Sequence, residues 1–106
     1  EKYDVENSFV LHDNIFDKDA LIIENSNITE VSLIDNDKKY LTMKFTAPLF
    51  GIWSPTKKNA PFVCIEPWYG RCDGADFCGD ITEREWGNSL EVNENWYKEY
   101  EIVIYE

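Results

Sequence analysis

The stretch Ile28-Thr29-Glu30-Val31-Ser32-Leu33-Ile34-Asp35-Asn36-Asp37-Lys38-Lys39-Tyr40-Leu41-Thr42-Met43-Lys44-Phe45-Thr46 decides the fold class. In its first half, Val31 and Leu33 fall on one side of an extended chain and Ser32 on the other. In its second half, Leu41, Met43 and Phe45 alternate with Thr42, Lys44 and Thr46. That period of two marks a half-buried antiparallel strand. Between the halves, Asp35-Asn36-Asp37-Lys38 supplies short polar residues suited to a tight reversal, so the two are expected to pair as a hairpin.

The same grammar extends in both directions. Upstream, Ala20-Leu21-Ile22-Ile23 is a compact apolar run closed by the turn cluster Asn25-Ser26-Asn27. Downstream, Leu49-Phe50-Gly51-Ile52-Trp53-Ser54 leads into the turn-rich segment Pro55 to Pro61. Phe62-Val63-Cys64-Ile65 is apolar on both faces, which predicts a central, fully covered strand. Residues 67–88 carry glycines and charges with no period and are expected to form a long loop, of the kind that serves a function or is held by a partner. The last strand is expected over Trp96–Tyr105, with Trp96, Tyr100, Ile102 and Ile104 on one face. Apolar residues nowhere recur at helical spacing, and there are no repeats, linkers or low-complexity tracts. The expectation is one all-β domain, an antiparallel sandwich.

Composition narrows the function classes. The 106 residues are 43% apolar and 15% aromatic, enough to build a core. Lys and Arg number 10 against 21 Asp and Glu, a formal charge of −11. Such a surface repels phosphate backbones and anionic lipid, so neither nucleic acid nor a membrane is an expected partner. No run reaches the roughly 18 apolar residues that a membrane span needs. Glu1-Lys2-Tyr3-Asp4 lacks the basic-then-apolar pattern of a secretory signal. The absence of an initial Met suggests a processed form or a fragment.

Three cysteines, Cys64, Cys72 and Cys78, are too few and of the wrong number for a disulfide framework. With no CxxC pair and a single histidine, His12, neither a metal nor a cofactor is expected. A reducing cytoplasm is the simplest setting. Asn27-Ile28-Thr29 has the form of a glycosylation sequon, which carries no meaning without secretion. The acidic residues lack EF-hand spacing, and Glu83-Arg84-Glu85 reads as a solvated charge pattern.

The segment with chemistry is Phe62-Val63-Cys64-Ile65-Glu66-Pro67-Trp68-Tyr69-Gly70-Arg71. Pro67 pushes Glu66 toward extended geometry and so limits the directions its side chain can take. Trp68 and Tyr69 offer flat apolar faces with polar edges, on which the C–H faces of a sugar stack while its hydroxyls bond to carboxylates. A carboxylate partly withdrawn from water beside such rings is suited to general-base work. The plainer reading of the same residues is a solvated glutamate at a strand end beside core aromatics.

Several blocks resemble the carboxy-terminal signature of the aldose 1-epimerase family, in its galactose-mutarotase-like branch. They are Leu49 to Ser54 and Ala60 to Gly70, with Ile15-Phe16-Asp17-Lys18-Asp19-Ala20-Leu21-Ile22-Ile23 upstream. Gly79-Asp80-Ile81-Thr82-Glu83-Arg84-Glu85 and Asn88-Ser89-Leu90-Glu91 follow downstream. The blocks keep the family's order and cover most of the chain. The resemblance implies a β-supersandwich, of which residues 1–106 are the carboxy-terminal segment, and interconversion of the α and β anomers of an aldose sugar. It assigns Glu66 as the catalytic base and Asp19 as a holder of sugar hydroxyls, with Asp17 a nearby competitor. Trp68, Tyr69 and Arg71 would contact substrate, although Arg71 can equally pair with Asp73 or remain a solvated charge.

The family's acid histidine and second sugar-binding histidine belong to an amino-terminal part that has no counterpart here. His12 lies in no matching motif and reads as a surface or capping residue. Losing the acid removes a contribution of about 10²–10⁴-fold, so the chain alone is expected to be a poor enzyme or none. Strands taken from a larger sandwich would expose edges and an apolar face, which predicts association with another copy or with the missing part. Two other readings stand beside this one. A non-catalytic carbohydrate-binding module would use Trp53, Trp68 and Tyr69 as stacking platforms. A structural domain would place all the aromatics in the core.

Overall fold

A computed structural model describes residues 8–24 and 27–106. Asn25 and Ser26 of the expected turn cluster, and the amino-terminal Glu1 to Asp4, lie outside the described residues. Among the described residues six strands form in chain order: β1 (Leu21–Glu24), β2 (Glu30–Asp35), β3 (Lys38–Phe45), β4 (Leu49–Trp53), β5 (Cys64–Trp68) and β6 (Tyr100–Ile104). They make two three-stranded antiparallel sheets, ordered β1-β4-β5 and β2-β3-β6. The protein is all-β and sandwich-like, as the strand pattern predicts.

The hairpin forms as expected. Asp35 pairs with Lys38, and the two residues between them, Asn36 and Asp37, take φ of 48° and 64°. Two successive left-handed residues are what a two-residue turn needs to match the twist of its strands. Val31 lies opposite Met43 and Leu33 opposite Leu41, so the apolar face is continuous across the pair. The short link 46–48 then carries the chain from one sheet to the other.

Between the sheets sit Phe16, Met43, Phe45, Ala47, Phe50 and Ile52, with Leu21, Ile23, Val31 and Ile65 packed around them. The Phe45 and Phe50 rings join the two layers, with centroids 5.3 Å apart. Each such side chain, fully buried, contributes about 1.5–3 kcal/mol. Thr42 faces away from this core yet is 1% exposed, because Ser32 Oγ and Tyr105 OH both bond to its hydroxyl, at 2.7 and 3.0 Å.

Four expectations need correction or refinement. The run Phe62–Ile65 is not a central covered strand. The centre of its sheet is β4, while β5 is an edge strand, half-buried throughout, and Phe62 is exposed. Pro67 is the physical reason: a residue without an N–H is tolerated at a sheet edge and not in its middle.

The last strand is shorter than expected, because Trp96 precedes it and packs edge-on against Tyr69. Tyr100, Ile102 and Ile104 do share the face of Phe45, Met43 and Leu41, but no second sheet covers them, and they stay 63%, 48% and 75% exposed.

The stretch after β5 is also more ordered than a periodless sequence suggests. It holds a 3-10 turn, Ile81–Glu83, with a reciprocal cap: the Asp80 side chain accepts from Thr82 N, and Glu83 accepts from Asp80 N. The Thr82 backbone N–H holds the Asp80 carboxyl below its ordinary value. Arg84 is a tie and not a solvated charge. Its Nη2 donates to the Arg71 carbonyl at 2.5 Å, and its Nε lies 2.5 Å from Asp73 Oδ1. The second contact is an ion pair outside hydrogen-bond alignment.

Candidate functional site

Side chains alternate across a strand, so placing Phe50 and Ile52 in the core turns Gly51 and Trp53 to the outer face of their sheet. Register then assigns their neighbours. Gly51 stands opposite Glu66 and Trp53 opposite Cys64, with Ile22 across from Gly51 on the other side. Glu24 and Trp68 flank Leu49 on the same face. The outer face of this sheet therefore gathers Glu66, Trp68 and Trp53 from two adjacent strands.

Glu66 is half-buried, and its Oε2 accepts a hydrogen bond from Trp68 Nε1 at 3.2 Å. The indole lies over Gly51, where an added Cβ would meet Trp68 Cζ2 at 3.1 Å and Glu66 Oε2 at 3.6 Å. A cleft of about 320 Å³ opens beside Trp68, bounded by Gly70, Arg71 and Cys72. Arg71 pairs with Glu24 through Nη1 and Oε2 at 2.9 Å, and not with Asp73, which Arg84 takes. The guanidinium is thereby partly neutralised, which lowers its attraction for an anionic ligand.

Asp19 and Tyr69 sit elsewhere. Asp19 has φ of 102°, and its Oδ1 accepts from the next backbone N–H, that of Ala20, at 2.7 Å. It lines a separate cavity of about 340 Å³ with Asp17, Phe16, Trp53, Pro55, Thr56 and Lys58. Trp53 is the link between that cavity and the Glu66 face, since it borders the first and shares a sheet surface with the second. Asp17 and Asp19 both border this cavity, so geometry does not choose between them.

Tyr69 follows Trp68 and points the opposite way, onto the core. Its ring meets Trp96 at 5.7 Å and 89°, Lys98 Nζ lies 5.3 Å from its centre, and Asn88 holds its carbonyl at 2.6 Å. The structure thus brings Glu66, Trp68 and Arg71 to one side and leaves Tyr69 as a packing residue. His12 is exposed, in the turn region before β1, where its carbonyl accepts from Ile15 N.

Two contributors were not singled out from sequence. Glu24 is the partner of Arg71, and nothing in the linear order links positions 47 residues apart. Gly51 carried a signal, because an isolated glycine inside a strand pattern marks close approach. Among the described residues, no group of three or more His, Cys, Asp or Glu is placed to hold a metal ion. The three thiols are free, and among the described residues no helix is long and apolar enough to cross a membrane. Comparison with known proteins returned no similar family model, curated protein or solved structure.

Proposed function

We propose that this chain is the base-bearing, carboxy-terminal part of an aldose 1-epimerase-like sugar isomerase with a galactose-mutarotase-like β-supersandwich. The observation that carries the reading is the pairing of the Glu66 carboxylate with the Trp68 indole on one sheet face, beside an open cleft. The indole offers a flat surface to the C–H face of a pyranose, and the carboxylate offers an acceptor at its edge. The family resemblance of the segments around both residues supports the same assignment.

In the proposed reaction Glu66 takes the proton of the anomeric hydroxyl. The bond from C1 to the ring oxygen breaks as the C1 carbonyl forms, and an acid protonates the ring oxygen. Rotation about the C1–C2 bond presents the other carbonyl face, and the steps reverse. The proposed acid comes from outside the Glu66 face, because the family resemblance implies a histidine and none stands among the described residues gathered there. The uncovered row Tyr100, Ile102 and Ile104 supports association with the part that supplies it, or with a second copy. The substrate is an aldose, and the setting a reducing cytoplasm.

The test is anomer interconversion of several aldoses followed by proton NMR. It compares this chain, a form extended at its amino terminus, and the extended form with Glu66→Gln. The expected result is activity in the extended form and a loss of at least about 10²-fold in the Gln variant. An extended form that binds sugars without interconverting them overturns the enzyme reading in favour of a carbohydrate-binding module.

A further inference from the structure

Gly51 stands in the middle of the central strand β4, where its backbone does not call for a glycine. Its φ lies outside the left-handed region, and a glycine inside a strand costs conformational entropy without adding packing. What the position does require is space. A Cβ there would lie 3.1 Å from Cζ2 and 3.4 Å from Cε2 of Trp68, closer than the ring tolerates without moving. With no side chain in the way, the indole settles across the strand and its Nε1 reaches Glu66 Oε2 at 3.2 Å. That distance is at the long end of an N–H···O bond, so a displacement of a few tenths of an ångström breaks it.

We infer that Gly51 is a positioning residue for Glu66. By leaving room for the Trp68 ring, it sets one carboxylate oxygen on the indole N–H and leaves the other without a protein donor among the described residues. Only the catalytic consequence of this placement rests on the proposed role of Glu66 as base. A glycine retained for strand stability would instead lower the thermal midpoint when replaced, although intrinsic preference alone favours alanine over glycine in a strand interior.

The experiment records the indole N–H resonances of the chain and of its Glu66→Gln, Gly51→Ala and Trp68→Phe variants, the last identifying the Trp68 signal. A hydrogen bond to a charged acceptor deshields the proton. The Trp68 signal is therefore expected to move upfield in Glu66→Gln, and to move the same way in Gly51→Ala with no fall in thermal midpoint. In the extended form, Gly51→Ala is expected to lower kcat about tenfold with KM within about twofold, the pattern of a misplaced catalytic group. A Trp68 signal indifferent to Glu66→Gln, or to Gly51→Ala, overturns the inference. If the signals move as expected while the extended form turns over no aldose, the positioning stands and the isomerase reading falls.

Discussion

Replacing Arg84 by Ala tests how the chain is held as it leaves β5 beside the Trp68 cleft. The wild-type guanidinium donates to the Arg71 carbonyl and pairs with Asp73. A hydrogen bond from a charged donor is worth about 1.5–3 kcal/mol. The Asp73 pair adds at most about 1 kcal/mol, because its side chains are 29% and 48% exposed and water screens them. Water partly replaces both contacts in the variant, so a local loss of about 2 kcal/mol is expected, or roughly a 30-fold rise in loop opening. The reporter is the Phe77 amide, which donates to the Gly74 carbonyl at 3.0 Å within the tied segment. Its hydrogen exchange is expected to quicken roughly 30-fold, with amides of β3 unchanged, since the opening is local. Unchanged protection at Phe77 refutes the view that Arg84 holds this loop. Uniform acceleration across β3 refutes the view that its effect is local.

Two further predictions concern the capped turn just before Arg84 and the open edge. The Asp80 carboxyl is held below its ordinary value of 3.8, chiefly by the Thr82 backbone N–H. The sign follows from linkage: the cap is at full strength above the ordinary value and is lost as pH falls through the lowered one. The Thr82 amide resonance is therefore expected to titrate with a midpoint below 3.8, and a midpoint at or above it removes the cap from the account. Ile102 is 48% exposed on an edge strand, so self-association through β6 is expected to grow with concentration and to be abolished by Ile102→Lys. Gel filtration showing a strict monomer for the unmodified chain at high concentration sinks that expectation.

The parts of the fold legible in the sequence are those set by neighbours in the chain. Residues 28–46 spell out their own hairpin, because alternation and turn chemistry act over a few positions. The order of strands within a sheet is not local, and there the apolar run Phe62–Ile65 misled. Apolar residues on both faces of a strand mean contact on both sides only where the strand is central. Pro67, two residues further on, already argued for an edge. The segment after β5 lacked period because side chains reaching back along the chain organise it, with Arg84 to Arg71, Asn88 to Tyr69 and Asp80 with Glu83.

The candidate site divides the same way. Glu66 and Trp68 are two residues apart in an extended strand, so their common side follows from sequence. Tyr69 follows Trp68 directly, and the same alternation sends it to the other face. Glu24 meeting Arg71, and Asp19 in a cavity of its own, depend on how strands distant in sequence are brought together.

The central strand β4 has a consequence for anyone who wishes to redesign this protein. Its even-numbered residues, Phe50 and Ile52, face the other sheet, while Gly51 and Trp53 look outward. One strand thus carries two messages interleaved by parity, and a mutagenesis library can edit one without garbling the other. Variation confined to Trp53, Cys64, Glu66 and Trp68 rewrites the outer surface, whereas a one-residue insertion in β4 exchanges the two alphabets and scrambles both.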